Sequence, residues 1–163
     1  MYQKVTISKD LVFYHAESAI RKELDVLLTS HTLSGYHIQP DELEGIDKEL
    51  LHRIIELRDA DVRVLLQKYL TNDDIYVDDE LMATQTEFVY ELTMPENWRS
   101  ALLQPLATYI HNYLVRGILY DYMKDKMPEF ANAYLPDLDD LKESIEDVLA
   151  SRSGLVKAPL QPF

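Results

Sequence analysis

WRSALLQPLATYIHNYLVRGILYDY, residues 98–122, is the stretch whose periodicity decides the fold. Trp98, Leu102, Leu106, Tyr109, Ile110, Tyr113, Leu114, Ile118 and Tyr122 recur at three- and four-residue steps, the spacing of a helix with a broad apolar face. Its length and apolarity predict the helix at the centre of the core. Pro95 stops whatever precedes it, Asn97 is placed to cap, and Pro105 either kinks the helix or marks its true first turn. Gln104, Pro105, Thr108, His111 and Asn112 interrupt the most apolar part, Ala101 to Val115, which falls short of the roughly 20 apolar residues of a membrane span. No membrane role is expected.

Working outward, the segment Gln85 to Met94 alternates, with Phe88, Tyr90 and Leu92 on one face and Val89 and Glu91 on the other, as in a strand half-buried against helices. Asp74 to Val77 reads as a second strand, joined to it through Asp78, Asp79, Glu80, Leu81, Met82, Ala83 and Thr84. Further upstream, Leu50, Leu51, Ile54, Ile55, Leu57, Val62, Leu65, Leu66 and Tyr69 predict a long helix over 46–70, its apolar stripe narrowed at Arg58, Asp59, Ala60 and Asp61. Asn72, Asp73 and Asp74 end it. The polar stretch 30–45 holds Gly35, Pro40 and Gly45 and reads as a connection.

At the start, Tyr2 to Ile7 alternates and reads as a short strand, with Ser8 capping a helix that runs to about Thr29. Leu11, Phe13 or Tyr14, Ala16, Ile20, Leu24, Leu27 and Leu28 form its expected buried face. Beyond the central helix, Pro128 closes the segment and 128–134 makes a short helix. Asp137 is expected to cap a last helix to about Arg152, burying Leu138, Leu141, Ile145, Val148 and Leu149. Residues 153–163, broken by Gly154, Pro159 and Pro162, should be extended. The reading is α+β, mainly α: one four-helix-type bundle over 1–152 with a strand insertion at about 74–94, a short N-terminal strand, a small antiparallel sheet of two or three strands, and a C-terminal tail.

Composition narrows the chemistry. Sixteen basic residues against 29 acidic ones among 163 give a formal net charge of −13, which argues against phosphate-rich or anionic-membrane surfaces. The chain has no cysteine, so disulfides, thiolate metal sites and cysteine nucleophiles are excluded. Four glycines, none clustered, leave no phosphate-cradling loop, nucleophile elbow or dinucleotide fingerprint. The first residues lack the basic and apolar regions of a secretory leader.

Few side chains are spaced for catalysis. His52 and Glu56 stand one helical turn apart, but the sequence indicates no third metal ligand, and an exposed polar face explains the pair more simply. His111 reads as a histidine packed in the core rather than a general base. A hydrolase built on His52, Glu56 and His111 would lack a nucleophile. The acidic run 73–80 lacks the central glycine and closing glutamate of a calcium loop and reads as a solvated turn. Tyr109, Tyr113, Tyr120 and Tyr122 lack the basic neighbours of a base-stacking platform and fit a core or an interface. No catalytic residue, cofactor or metal is expected.

Several phrases of the chain resemble a family of virion proteins from tailed phages and prophages of gut bacteria, the head-tail connector or neck-ring proteins. They are Lys4 to Lys9, the acidic helix Glu49 to Leu57, the strand Tyr90 to Trp98, the helix His111 to Tyr122, and Met127 to Tyr134 before a final helix and tail. The resemblance is of layout over most of the chain; the connection 30–45 has no counterpart, and the tail, with Arg152 and Lys157 alone, is less basic than the family pattern. It implies a subunit made in the bacterial cytoplasm and placed at the head-tail junction. It implies a homo-oligomeric ring, dodecameric by that likeness, between the portal and other neck or tail proteins, with DNA only as passing cargo. Leu155, Pro159, Leu160, Pro162 and Phe163 would dock on a neighbour, and Asp78, Asp79 and Glu80 would meet an adjacent subunit or repel DNA along a channel. The alternative is a small acidic binding or regulatory protein of the host that sequesters a basic partner.

Overall fold

The computed structural model describes residues 1–29, 48–71 and 86–153. Strand β1 (Tyr2–Ser8) runs into α1 (Lys9–Thr29), and α2 (Lys48–Leu66) is followed by β2 (Glu87–Thr93). A 3-10 turn at Ser100–Leu102 leads into α3 (Leu103–Lys126), then α4 (Pro128–Ala131), a second 3-10 turn (Asn132–Tyr134) and α5 (Leu135–Ala150). The described residues are mainly helical, with four long helices and an antiparallel two-stranded sheet among them.

The central helix is α3. Leu106, Ile110, Leu114, Ile118, Leu119 and Met123 are fully buried on it, and α1, α2, α5 and the sheet all pack against it. Each fully buried Leu or Ile contributes about 1.5–3 kcal/mol relative to exposure, so this one helix anchors most of the apolar burial. Pro105 sits at the third position of α3, where no intrahelical N–H is needed, and so marks the first turn rather than a kink. Trp98 lies outside the helix. It bridges to Arg152 and its indole N–H donates to the Val148 carbonyl at 2.9 Å, which ties the entry to α3 to the exit from α5. Asn97 does not cap: its carbonyl accepts the Ser153 N–H and hydroxyl, at 2.7 and 2.9 Å, so its backbone serves that crossing instead.

Alternation along β2 is as expected, with Phe88, Tyr90 and Leu92 buried on one face. Its partner is β1, in the register Val5 to Tyr90 and Ile7 to Phe88, so two alternating faces are buried together. On its other edge β2 meets the chain just after α2, through the Leu70 to Leu92 bridge and the Thr71 N–H to Glu91 carbonyl bond of 2.9 Å. The expected strand at 74–77 lies outside the described residues. Helix α2 ends at Leu66, short of position 70, because the following residues turn to make that edge contact.

Ser8 caps α1 as expected, its hydroxyl accepting the Leu11 N–H at 3.3 Å. The buried stripe of α1 is Val12, Ala16, Ile20 and Leu24, while Leu11 and Tyr14 face solvent. Ala16, Ile20 and Leu24 are thus buried as expected, and only the start of the stripe differs, with Val12 turned inward in place of Leu11. On α2, Leu57 is exposed and Asp59 is buried in its stead. Asp137 is not the cap of α5, which begins at Leu135. The preceding turn runs straight into it and Pro136, near its start, supplies a residue with no N–H to satisfy. Asp137 instead lies in the first turn, where its charge complements the helix dipole. Of its expected buried set, Leu138, Ile145 and Leu149 are fully covered and Leu141 and Val148 partly so.

Candidate functional site

Helices α1, α3 and α5 enclose a cleft of about 630 Å³. Its floor is Asn112, Val115 and Arg116 of α3; α1 contributes His15 and Lys22, and α5 contributes Asp137 and Asp140. Cations and carboxylates therefore share it without one sign dominating. On α1, Glu23 also lines the cleft and accepts the Tyr134 hydroxyl at 3.0 Å. Burial first, then that neighbouring carboxylate, push the Tyr134 phenol up to about 12. Tyr134 is thus a hydrogen-bond donor at neutral pH and not a base.

Beside the cleft stands a pair of histidines, of which His15 lines it. His15 Nδ1 and His111 Nε2 are 2.8 Å apart, with ring centres 5.0 Å apart and planes at 85°. Burial first, and then the charge of a protonated His15, lower the His111 pKa. His111 is therefore not sealed in the core as the sequence suggested; it is half-buried and bonded across to α1.

A second constellation lies between α2 and α3. Arg58 gives Asp121 a two-pronged contact, Nε to Oδ2 at 2.6 Å and Nη2 to Oδ1 at 2.8 Å, and also bonds Asp61 at 3.2 Å. Partial burial pulls the guanidinium pKa down, but the hydrogen bond and charge of Asp121 outweigh it and hold the group above its usual value. Gly117 is what lets this arm lie across α3: a Cβ there would stand 2.6 Å from Arg58 Cδ and 2.8 Å from its Nε. Tyr120 lies under the guanidinium, its ring centre 5.7 Å away. At the next position, Asp59 is 1 % exposed and is held by the Tyr90 hydroxyl at 2.6 Å and by Arg63 Nε at 2.9 Å. Burial and then that carboxylate push Tyr90 well above its ordinary pKa, which keeps its proton in the bond to Asp59. These groups are mutually satisfied and act as a clamp between α2, α3 and β2.

His52 and Glu56 are both exposed on α2, and the His52 ring meets Phe13 of α1 edge-on at 4.8 Å. The structure does not bring His52 to His111, which is taken by His15. Among the described residues no three His, Asp or Glu side chains are grouped to hold a metal ion, and no helix is long and apolar enough to cross a membrane. Tyr113 and Tyr122 are buried and Tyr109 and Tyr120 partly so, as residues of a core and its edge. Asp78, Asp79, Glu80, Leu155, Pro159, Leu160, Pro162 and Phe163 lie outside the described residues. Sequence reasoning missed the His15–His111 pair and the Arg58–Asp121 clamp; for Arg58 the signal was an arginine and aspartates on a stripe otherwise apolar.

Large apolar side chains also remain uncovered. Leu57 and Val64 are 67 % and 69 % exposed, seven residues apart on the outer side of α2, and Tyr14 on α1 is 68 % exposed. The outer side of α5 is instead acidic, with Asp139, Glu143 and Asp147 in solvent at four-residue steps. No family model, curated protein or solved structure matches the chain.

Proposed function

We propose that the chain is a virion structural subunit, a head-tail connector that assembles into a ring between portal and tail. The observation that carries the reading is the pair of uncovered apolar strips. Leu57 and Val64 lie on α2 and Leu11 and Tyr14 on α1, two different helices that flank α3. Two distinct patches on one subunit are what a head-to-tail contact requires, and such a contact closes into a ring when its rotation permits. The resemblance in layout to connector proteins supports the same reading. Its partners would be further copies of this chain, the portal and other neck proteins, with Leu155, Leu160 and Phe163 of the tail docking on a neighbour. Pro159 and Pro162 would lower the ordering cost of that docking. Asp78, Asp79 and Glu80 would face an adjacent subunit or the DNA channel. No catalytic step, cofactor or metal enters this function.

Electron microscopy and light scattering of the chain mixed with the portal encoded beside it test the reading. Rings on the portal are expected, with Leu57→Glu/Val64→Glu abolishing them while the monomer stays folded. Rings unaffected by that double change would remove the α2 strip from the interface. A chain that ignores the portal, from a gene set among metabolic enzymes, would overturn the connector reading. Truncation after Arg152 is expected to weaken ring formation; unchanged assembly would refute docking by the tail. The acidic outer side of α5 favours a second reading, a host protein that sequesters a basic partner, and salt-sensitive capture of a basic protein by an unassembled monomer would support it.

A further inference from the structure

The His15–His111 contact joins α1 to α3 beside the cleft, and its geometry tells what it does. For two imidazoles whose nitrogens are 2.8 Å apart, ring centres at 5.0 Å are close to the widest separation possible. The two nitrogens therefore point along one line at each other. Ligands of one metal ion converge at an angle; a shared proton lies on the line between its donor and acceptor. The pair is built for a hydrogen bond, with one ring donating N–H and the other accepting.

We propose that this pair is a proton-operated latch, holding α1 on α3 beside the cleft while it carries one excess proton or none, and releasing when a second arrives. With no excess proton, one N–H donates to the bare nitrogen of the other ring. With one, an imidazolium donates to a neutral imidazole, a charge-assisted bond. With two, both nitrogens carry hydrogen, no acceptor is left, and two positive charges face each other across 2.8 Å. The rings must then part.

Among the described residues, no direct ion pair cancels that repulsion. On α1, Tyr14 lies against His15 with ring centres 5.7 Å apart, and Lys22 and Glu23 line the cleft beyond it, Glu23 bonded to Tyr134. Arg116 of α3 adds a further positive charge to the floor, and Asp137 and Asp140 stand on the α5 wall. From α2, His52 rests on Phe13, two residues before His15 and so on the far side of α1 from it. His111, lowered from its ordinary value of 6.5 in the fold, binds fewer protons than the unfolded chain does below that pH. Its contribution to stability is complete above about 6.5 and is lost as pH falls through the folded value. The latch is closed at neutral pH and opens in mild acid, and it does not depend on the connector reading.

Nuclear magnetic resonance titration of the imidazole protons tests it. In the full chain, His15 and His111 are expected to titrate in two separated steps, one of them below the ordinary histidine range. His111→Gln should leave a single step in place of the two. Between about pH 7.5 and pH 5, the unfolding equilibrium of the wild type should shift about tenfold more than that of His15→Gln or His111→Gln, and His52→Gln should behave as wild type. Amide exchange in the α1 turn around His15 should quicken in acid in the wild type beyond the change seen in either variant. Single, independent steps for the two histidines, or an acid shift equal in wild type and His111→Gln, would overturn the latch.

Discussion

Helices α1 and α2 pack on the same central helix with different chemistry at the seam. On α2, Arg58 and Asp121 form a two-pronged ion pair over Gly117, and the buried Asp59 is held by Tyr90 and Arg63. On α1, the polar crossing is one contact between two imidazoles at the solvent edge. The α2 seam turns on a guanidinium that stays protonated over the whole physiological range. The α1 seam depends on a group that titrates near neutrality. One side of the bundle is thus fixed and the other is adjustable.

Changes at the two seams separate those roles. The largest effect is expected from Asp59→Ala, which leaves the Tyr90 hydroxyl buried without its acceptor and Arg63 without its partner, a loss of about 3 kcal/mol measured by urea unfolding. Tyr90→Phe/Asp59→Leu in one chain should recover part of it, since both polar groups then go together. Next, Gly117→Ala places a methyl 2.6 Å from Arg58 Cδ, forces the arm to shift, and should cost about 2 kcal/mol in the same assay. With Arg58→Ala already present, that added cost should fall away, because the three atoms nearest the methyl all belong to the Arg58 arm. Arg58→Lys keeps the charge but loses the fork, and about 1 kcal/mol is expected at any pH from 6 to 8. An Arg58→Lys cost that varied through that range would mean that the α2 seam is not the fixed one. The smallest neutral-pH effect belongs to His15→Gln, within about 0.5 kcal/mol at pH 7.5 and of consequence only in its pH dependence.

How much was legible follows from what each element buries. The alternation of Phe88, Tyr90 and Leu92 located β2 because a strand with one buried face writes its period into the sequence. It did not name the partner, because β1 and the residues 74–77 both offer a compatible pattern. Along α1, Ala16, Ile20 and Leu24 were read correctly and only the start differed, at Leu11 and at Tyr14, the alternative to Phe13, since a helix that begins straight after a strand has its facing set there by the sheet beneath it. Val12, following the buried Lys9, turns inward in their place. Leu57 was expected inside for its apolarity, but the charged cluster one residue on is held by three elements and turns Asp59 inward instead.

The cleft was less legible than the core. His15 and His111 are 96 positions apart, and no spacing rule links them. Each alone reads as an unremarkable polar position. Arg58 and Asp121, 63 apart, are equally mute until Gly117 is seen to clear a path between them.

By itself the sequence determined the helical class, the central position of residues 103–126, the strand at 87–93 and the cap at Ser8, together with the exclusion of thiol chemistry. Those follow from local periodicity, capping and composition, which act over one or two turns of chain. Only the tertiary structure decided which strand pairs with β2, which charges face each other across α3, and which apolar residues stay uncovered. The physical reason is distance along the chain. Hydrogen bonds and ion pairs between residues scores of positions apart exist only after the core has brought their helices together.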